Sequence, residues 1–167
     1  MDFKLRKWTL DDIENFYINV NNKEITDNLS DLYPFPYDYQ NARNSVSFFA
    51  NADESQILVR AIDINGKAVG TIGLTINSGV YRKSGDIGYW IGKEYWSKGI
   101  MTQAVNQICE TVFDTYDIIR ISAEVLSHNT GSIRVLEKVG FKLEGMKKKN
   151  FYKNGILYDS YMYALIR

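Results

Sequence analysis

The stretch best suited to chemistry runs from residue 86 to residue 105, DIGYWIGKEYWSKGIMTQAV. An apolar, aromatic strand (Ile87, Tyr89, Trp90, Ile91) leads through a turn of Ser97, Lys98 and Gly99 into a helix with apolar residues at 101, 104, 105, 108 and 112. A glycine in such a turn lets the backbone come close to a ligand, and the first N–H groups of the helix, Ile100, Met101 and Thr102 here, have no partner within it. With the helix dipole added, the turn is an anion site suited to phosphate or pyrophosphate. Neither G-x-x-x-x-G-K-[ST] nor G-x-G-x-x-G occurs, so a nucleotide triphosphatase loop and a dinucleotide fingerprint are both unsupported. A strand-to-helix connection with a glycine for geometry alone satisfies the same residues.

Other reactive side chains are sparse. Cys109, the single cysteine, falls mid-helix and reads as a small buried apolar residue. The lone His128 sits in a connecting loop, where a solvent-exposed or locally bonded side chain is expected, and no metal-ligand cluster surrounds it. No Cys–His or Ser–His–Asp arrangement is visible. Lysine plus arginine balance aspartate plus glutamate at 20 each, so charge points to neither nucleic acid nor membrane. MDFKLRKW lacks the apolar run of a signal peptide, and no stretch nears the roughly 20 apolar residues of a bilayer span. A cytoplasmic protein is expected, with the 167 residues forming one domain, 1–167.

The elements that must position the 86–105 stretch follow from periodicity. Phe3 to Trp8 alternate as a short strand; Thr9 and Asp12 form a capping box before a helix with Ile13, Phe16, Tyr17 and Val20 on its core face. A short helical piece around 23–29 leads to DLYPFPYDY, whose Pro34 and Pro36 stiffen a loop that presents Tyr33, Phe35 and Tyr37. These aromatics suit either a substrate wall or a cover for the core. A helix from Asp38 or Tyr39 to about Ala52 precedes a hairpin, 56–64 and 68–76, turned by Asn65-Gly66. Gly79 and Gly85 flank a polar loop before the strand at 86–91. After the long helix come a strand at 118–126, a helix from Asn129 or Thr130 to Gly140, and a closing hairpin of 141–148 and 156–166 around Asn154-Gly155. Lys138, Lys142, Lys147, Lys148, Lys149 and Lys153 read as a solvated basic face.

Three features now coincide: strand, turn and helix at 86–105; the run Asn129, Ser132, Val135 to Lys138, Gly140 and Phe141; and a tyrosine-rich last hairpin. Over essentially the whole length this order resembles the GNAT superfamily of acetyl-coenzyme A-dependent N-acetyltransferases, and in particular its RimJ/RimL-like, ribosomal-protein branch. The resemblance implies an α+β fold, with a mixed, mostly antiparallel sheet of about seven strands flanked by helices and splayed between the fourth and fifth strands. Acetyl-CoA would lie in that splay as cosubstrate, with pantetheine along the backbone of Trp90 and Ile91. Its pyrophosphate would meet N–H groups from Ser97, Lys98, Gly99, Ile100, Met101 and Thr102. The superfamily pattern Q/R-x-x-G-x-G/A falls on Trp96, Gly99 and Met101, so only the central glycine is kept, and Met101 is expected to point into the core.

The resemblance also assigns roles. Asp86 stands where related enzymes often carry a glutamate and would act as base; Ser132 would protonate the leaving thiolate; Asn129 would hydrogen-bond the pantetheine arm. Each has an ordinary alternative, since aspartate suits a strand start, serine a first helical turn and asparagine an N-cap. An aspartate, with an ordinary pKa of about 3.9, is a weak base, so an α-amine near 7.7–8.0 is an easier acceptor than a lysine-type amine near 10.4. A protein amino terminus is therefore the expected acceptor. A polyamine or aminoglycoside is the alternative, kept open by Glu24, Asp27, Asp31 and Asp38 near the proline loop. From a different class, a non-catalytic acyl-CoA sensor would bind without turnover, and a hydrolase is weak because no second carboxylate is placed beside Asp86. No metal, nucleic acid or membrane partner is expected, and a homodimer is left open.

Overall fold

Alternating apolar residues and turn signals give seven strands and five helices in the computed structural model of residues 1–167. The strands are β1 (Lys4–Arg6), β2 (Ile57–Ile64), β3 (Lys67–Ile76), β4 (Ser84–Ile91), β5 (Arg120–Leu126), β6 (Lys142–Lys153) and β7 (Ile156–Ile166). The helices are α1 (Ile13–Val20), α2 (Lys23–Thr26), α3 (Tyr39–Ala50), α4 (Ile100–Thr115) and α5 (Thr130–Val139). One sheet, ordered β1-β2-β3-β4-β5-β7-β6, contains every strand, and only β4 and β5 run parallel. Their pairing is brief. It covers Ser84 with Arg120, Gly85 with Ile121 and Asp86 with Ser122, after which the strands separate.

Two apolar clusters lie on opposite faces of the sheet. On one, the buried stripe of α4 (Ile100, Met101, Ala104, Val105, Ile108, Val112) packs on Ile87, Ile91, Ile121, Ala123 and Val125. Met101 thus points inward as expected, and burial pushes the Cys109 thiol up to about 12. On the other face, α1, α3 and the loop before α3 bring Phe16, Val20, Tyr37, Ala42 and Val46 against Val59, Ala68 and Trp90. The period of two in β4 therefore sends Ile87, Tyr89 and Ile91 toward α4, and Asp86, Gly88 and Trp90 toward α1 and α3.

Asn65 and Gly66 both have positive φ (52° and 82°), as a primed hairpin turn requires. The Thr9–Asp12 capping box forms, but its first turn is a 3-10 helix over Leu10–Asp12, and Asp12 is buried where Arg6 grips it. Gly85 belongs to β4 rather than to the loop before it: a Cβ there would stand 2.9 Å from the Thr75 carbonyl oxygen on β3, so close strand packing favours glycine at this position. The larger difference is at β6, which does not stop at Lys148. Its pairing with β7 shifts between Lys147 and Phe151, where Lys149 takes a φ of 51° and the Asp159 carboxylate accepts its N–H, and the strand resumes to Lys153.

Candidate active site

The wedge opened beyond Asp86 and Ser122 is edged by the backbone of β4. Gly92 N–H donates to Val69 on β3, while the Lys83 carbonyl accepts from Ile119 on the β5 side. With no shift of register between, alternation directs the backbone groups of Gly88 and Trp90 to β3 and those of Ile87, Tyr89 and Ile91 into the wedge. The Ile91 carbonyl already accepts from the Trp96 indole N–H at 2.9 Å. Trp90, expected to lie along a cofactor, instead offers its backbone to Thr71 and its indole to the α1/α3 face; the wedge-facing groups are its neighbours'.

The turn beside the wedge has the geometry of an anion cradle. Ser97 and Gly99 take φ of 59° and 76°, Gly99 is the N-cap of α4, and none of the N–H groups from Ser97 to Thr102 donates to a backbone carbonyl. Successive free donors at the positive end of a helix dipole suit phosphate. The Lys98 ammonium lies 5.6 Å from the centre of the Tyr95 ring.

Across the wedge, Asn129 caps α5. Its Oδ1 accepts the N–H of Ser132 at 3.2 Å, which leaves its amide NH2 without a protein partner. The Ser132 hydroxyl is 2.8 Å from the Tyr89 hydroxyl, tying α5 to β4. Burial pushes the Tyr89 phenol well above its ordinary value, so it keeps its proton and acts as a hydrogen-bonding group. Tyr89 was not singled out from the sequence; the signal was available, because alternation in IGYWI must point it away from Trp90 and toward the helices.

Asp86 is exposed at the base of the wedge, where it accepts from the Asn77 amide at 3.1 Å. Arg120, in a bidentate pair with Glu144, adds positive charge nearby. On the same face of β5, Glu124 accepts from Ser160, Asn150 (2.6 Å) and Lys147 (3.1 Å). Burial raises its pKa, but these three donors outweigh burial and hold it below the usual carboxylate range.

The aromatic loop divides. Tyr33 stacks on Tyr37 (5.8 Å, 18°) beside Trp90, and burial pushes its phenol up to about 12. Phe35 is instead 48% exposed and joins neither cluster. His128 is exposed and leans on Tyr158, and no group of three or more potential metal ligands occurs. Of the acidic residues near the loop, Asp38 caps α3, Asp27 meets Lys23 and Asn154, and Glu24 meets Lys93. They form no single acidic patch.

Comparison with known proteins gives the class. The model of the acetyltransferase (GNAT) domain matches residues 2–142, and the chain belongs to that family of N-acetyltransferases. It is 29% identical to the uncharacterized N-acetyltransferase p20 of Bacillus licheniformis, over 98% of this chain and 92% of that one. The putative ribosomal N-acetyltransferase YdaF of Bacillus subtilis is 34% identical over 62% of this chain and 56% of its own. Among solved structures, the microcin self-immunity acetyltransferase MccE, in complex with acetyl-CoA and AMP, superposes with a TM-score of 0.87 at 24% identity over 99% of this chain and 93% of that one. The ribosomal-protein α-N-acetyltransferase RimL, in complex with coenzyme A, gives 0.87 at 23% over 98% and 93%. These two likenesses establish the fold: a mixed sheet, mostly antiparallel, opened at its one parallel pair.

Proposed function

We propose that the protein transfers the acetyl group of acetyl-CoA to a primary amine, the amino terminus of a protein, by direct attack of the amine on the thioester. The observation that carries this reading is the pairing of the β4–β5 wedge with the unpartnered N–H groups from Ser97 to Thr102 at its mouth. Both fit coenzyme A: the cradle suits its pyrophosphate, and the wedge edge suits an amide-bearing arm. Ser97, Lys98, Gly99, Ile100, Met101 and Thr102 would hold the phosphates through backbone N–H, and the Asn129 NH2 and the Tyr89 and Ile91 edge would hold the arm. Acetyl-CoA supplies an activated acyl carbon and a thiolate leaving group.

The rest is done by side chains. As the C–N bond forms, Asp86 takes the amine proton through a water. The Ser132 hydroxyl, oriented by Tyr89, gives a proton to sulfur as the C–S bond breaks and regains one from solvent. No covalent enzyme intermediate is required, in keeping with a buried, inert Cys109. An α-amino acceptor is supported by the weak basicity of an aspartate and by the relatives named as ribosomal N-acetyltransferases, YdaF and a ribosomal-protein alanine N-acetyltransferase of Escherichia coli. The polycation reading loses support because the loop acids are dispersed and mostly paired.

The test is thiol release from acetyl-CoA against peptides with free amino termini, polyamines and aminoglycosides. Release with peptides alone is expected. Asp86→Ala should lower turnover at least tenfold with coenzyme A affinity unchanged. Release only with polyamines would overturn the acceptor class, and undiminished turnover in Asp86→Ala would remove that residue from the base role.

A further inference from the structure

Lys153, the last residue of β6, was expected on a solvated face and is instead 4% exposed. Its ammonium donates to the carbonyls of Leu29 (2.7 Å), Ser30 (3.0 Å) and Tyr33 (3.0 Å), and to that of Thr26. Three protons thus serve four carbonyls, and no carboxylate touches the charge. A buried ammonium without a counter-ion is costly, and here burial lowers its pKa, with Lys23 adding to the effect and Asp31 and Asp27 opposing it. Plain packing at a hairpin end would be met by an apolar side chain at less cost. What the ammonium does that an apolar group cannot is gather one specific loop.

In the function proposed above, that loop would wall the face at which the acceptor amine arrives. The carbonyls of Thr26 and Ser30 also close turns, accepting from Leu29 and Tyr33 N–H, but those of Leu29 and Tyr33 have Lys153 as their protein donor. The far end of the loop is anchored separately, by Tyr37 N–H on Asn21 and the Tyr37 hydroxyl near Ser45. Between these anchors Tyr33 lies against Tyr37 and Trp90, on the face of β4 that also carries Asp86 and Gly88. Beyond Lys153, Asn154 adds one bond, to Asp27 at 3.1 Å.

We propose that Lys153 is a positioning residue for the acceptor amine, fixing the Tyr33 wall to the closing hairpin. This rests on the function proposed above. It acts on the acceptor side alone, since nothing it holds reaches the phosphate cradle or α5.

The experiment compares wild type, Lys153→Met and Lys153→Gln in the full chain. Hydrogen exchange by mass spectrometry reads the loop without any activity, and peptide-acceptor kinetics with coenzyme A calorimetry reads the site. Lys153→Met is expected to speed exchange in residues 27–37 about tenfold and leave α4 unchanged. It should raise the acceptor KM about tenfold, with kcat within threefold and coenzyme A Kd within twofold of wild type. Lys153→Gln, which keeps a neutral amide donor but cannot reach all four carbonyls, should show the same pattern at about two- to threefold, and decides the matter if Lys153→Met does not fold. Unchanged loop exchange, unchanged acceptor KM, or KM and coenzyme A Kd worsening together would each overturn the proposal. A wild type silent on every amine would instead refute the proposed function itself, while the exchange arm still reports whether the loop is tied.

Discussion

Asn129 offers a substitution that separates a cap from a ligand contact. Its Oδ1 accepts the Ser132 N–H at 3.2 Å as the N-cap of α5, while its NH2 is free toward the wedge. Asn129→Asp keeps an equally good capping oxygen and adds charge at the favourable end of a helix, so stability should change by no more than about 0.5 kcal/mol, about 1–2 °C in Tm for a chain of this size. The same change turns the free donor into an acceptor, which in the proposed function would face a carbonyl of the pantetheine arm with nothing to give. Losing that bond and leaving the ligand group unpaired costs about 1–2 kcal/mol, roughly a 5- to 30-fold weaker coenzyme A Kd. Asn129→Ala should weaken binding similarly but also lose about 1 kcal/mol of stability with the cap. Calorimetric titration with coenzyme A beside a thermal melt reads both. Wild-type affinity in Asn129→Asp would show that the residue is only a cap and would refute the assignment.

Tyr89→Phe removes the hydroxyl 2.8 Å from Ser132 Oγ and should lower kcat about 3- to 10-fold, the worth of one neutral hydrogen bond, with coenzyme A Kd unchanged by calorimetry. The other prediction concerns the frame. Arg6 pairs with Asp12 through two bonds of 2.7 Å and with Asp63 at 2.6 Å, and Asp12→Ala, which leaves the partly exposed guanidinium paired with Asp63 alone, should cost about 1–3 kcal/mol in denaturant titration. Burial raises the Asp12 pKa, but the bonds from Arg6 and Thr9 outweigh it and hold it below its ordinary value. A depressed folded pKa gives stability that is present above the ordinary carboxylate value of about 3.9 and is lost as pH falls through the folded pKa, so Asp12→Asn should flatten the acid limb of a Tm-against-pH curve.

What could be read from the sequence was local. Asn65-Gly66 and Gly140 need positive φ, the α4 stripe needs only a period of 3.6, and Asn129 needs only to precede a helix. The features missed are those in which partners lie far apart in the chain. Lys153 is one of six lysines between 138 and 153 until carbonyls more than a hundred residues earlier enclose it. The extension of β6 past Lys148 depends on Asp159 receiving the Lys149 N–H across a hairpin, and Arg6 is a strand residue like its neighbours until Asp63 meets it. Within the site, the backbone cradle was legible because it needs a glycine and a helix start. Tyr33 and Phe35 were not distinguishable, because the partial burial of one and the exposure of the other depend on which faces Trp90.

The division of labour in the site follows from the alternation of one strand. Ile87, Tyr89 and Ile91 share their face with α4 and α5, so any group they hold is reached through Ser132, Asn129 and the cradle. Asp86, Gly88 and Trp90 share theirs with α1, α3 and the Tyr33 loop. Gly88 has no side chain to fill the space between Asp86 and Trp90, and a Cβ there would meet nothing within 4 Å, so that face of the strand is open at this point. In the proposed function, acetyl-CoA would be held on the odd-numbered side and the amine would approach from the even-numbered side, past Gly88. Substitutions on odd-numbered positions of β4 should therefore act on the acyl donor and those on even-numbered positions on the amine. A one-residue slip of β4 against β3 would exchange the two sets and abolish both.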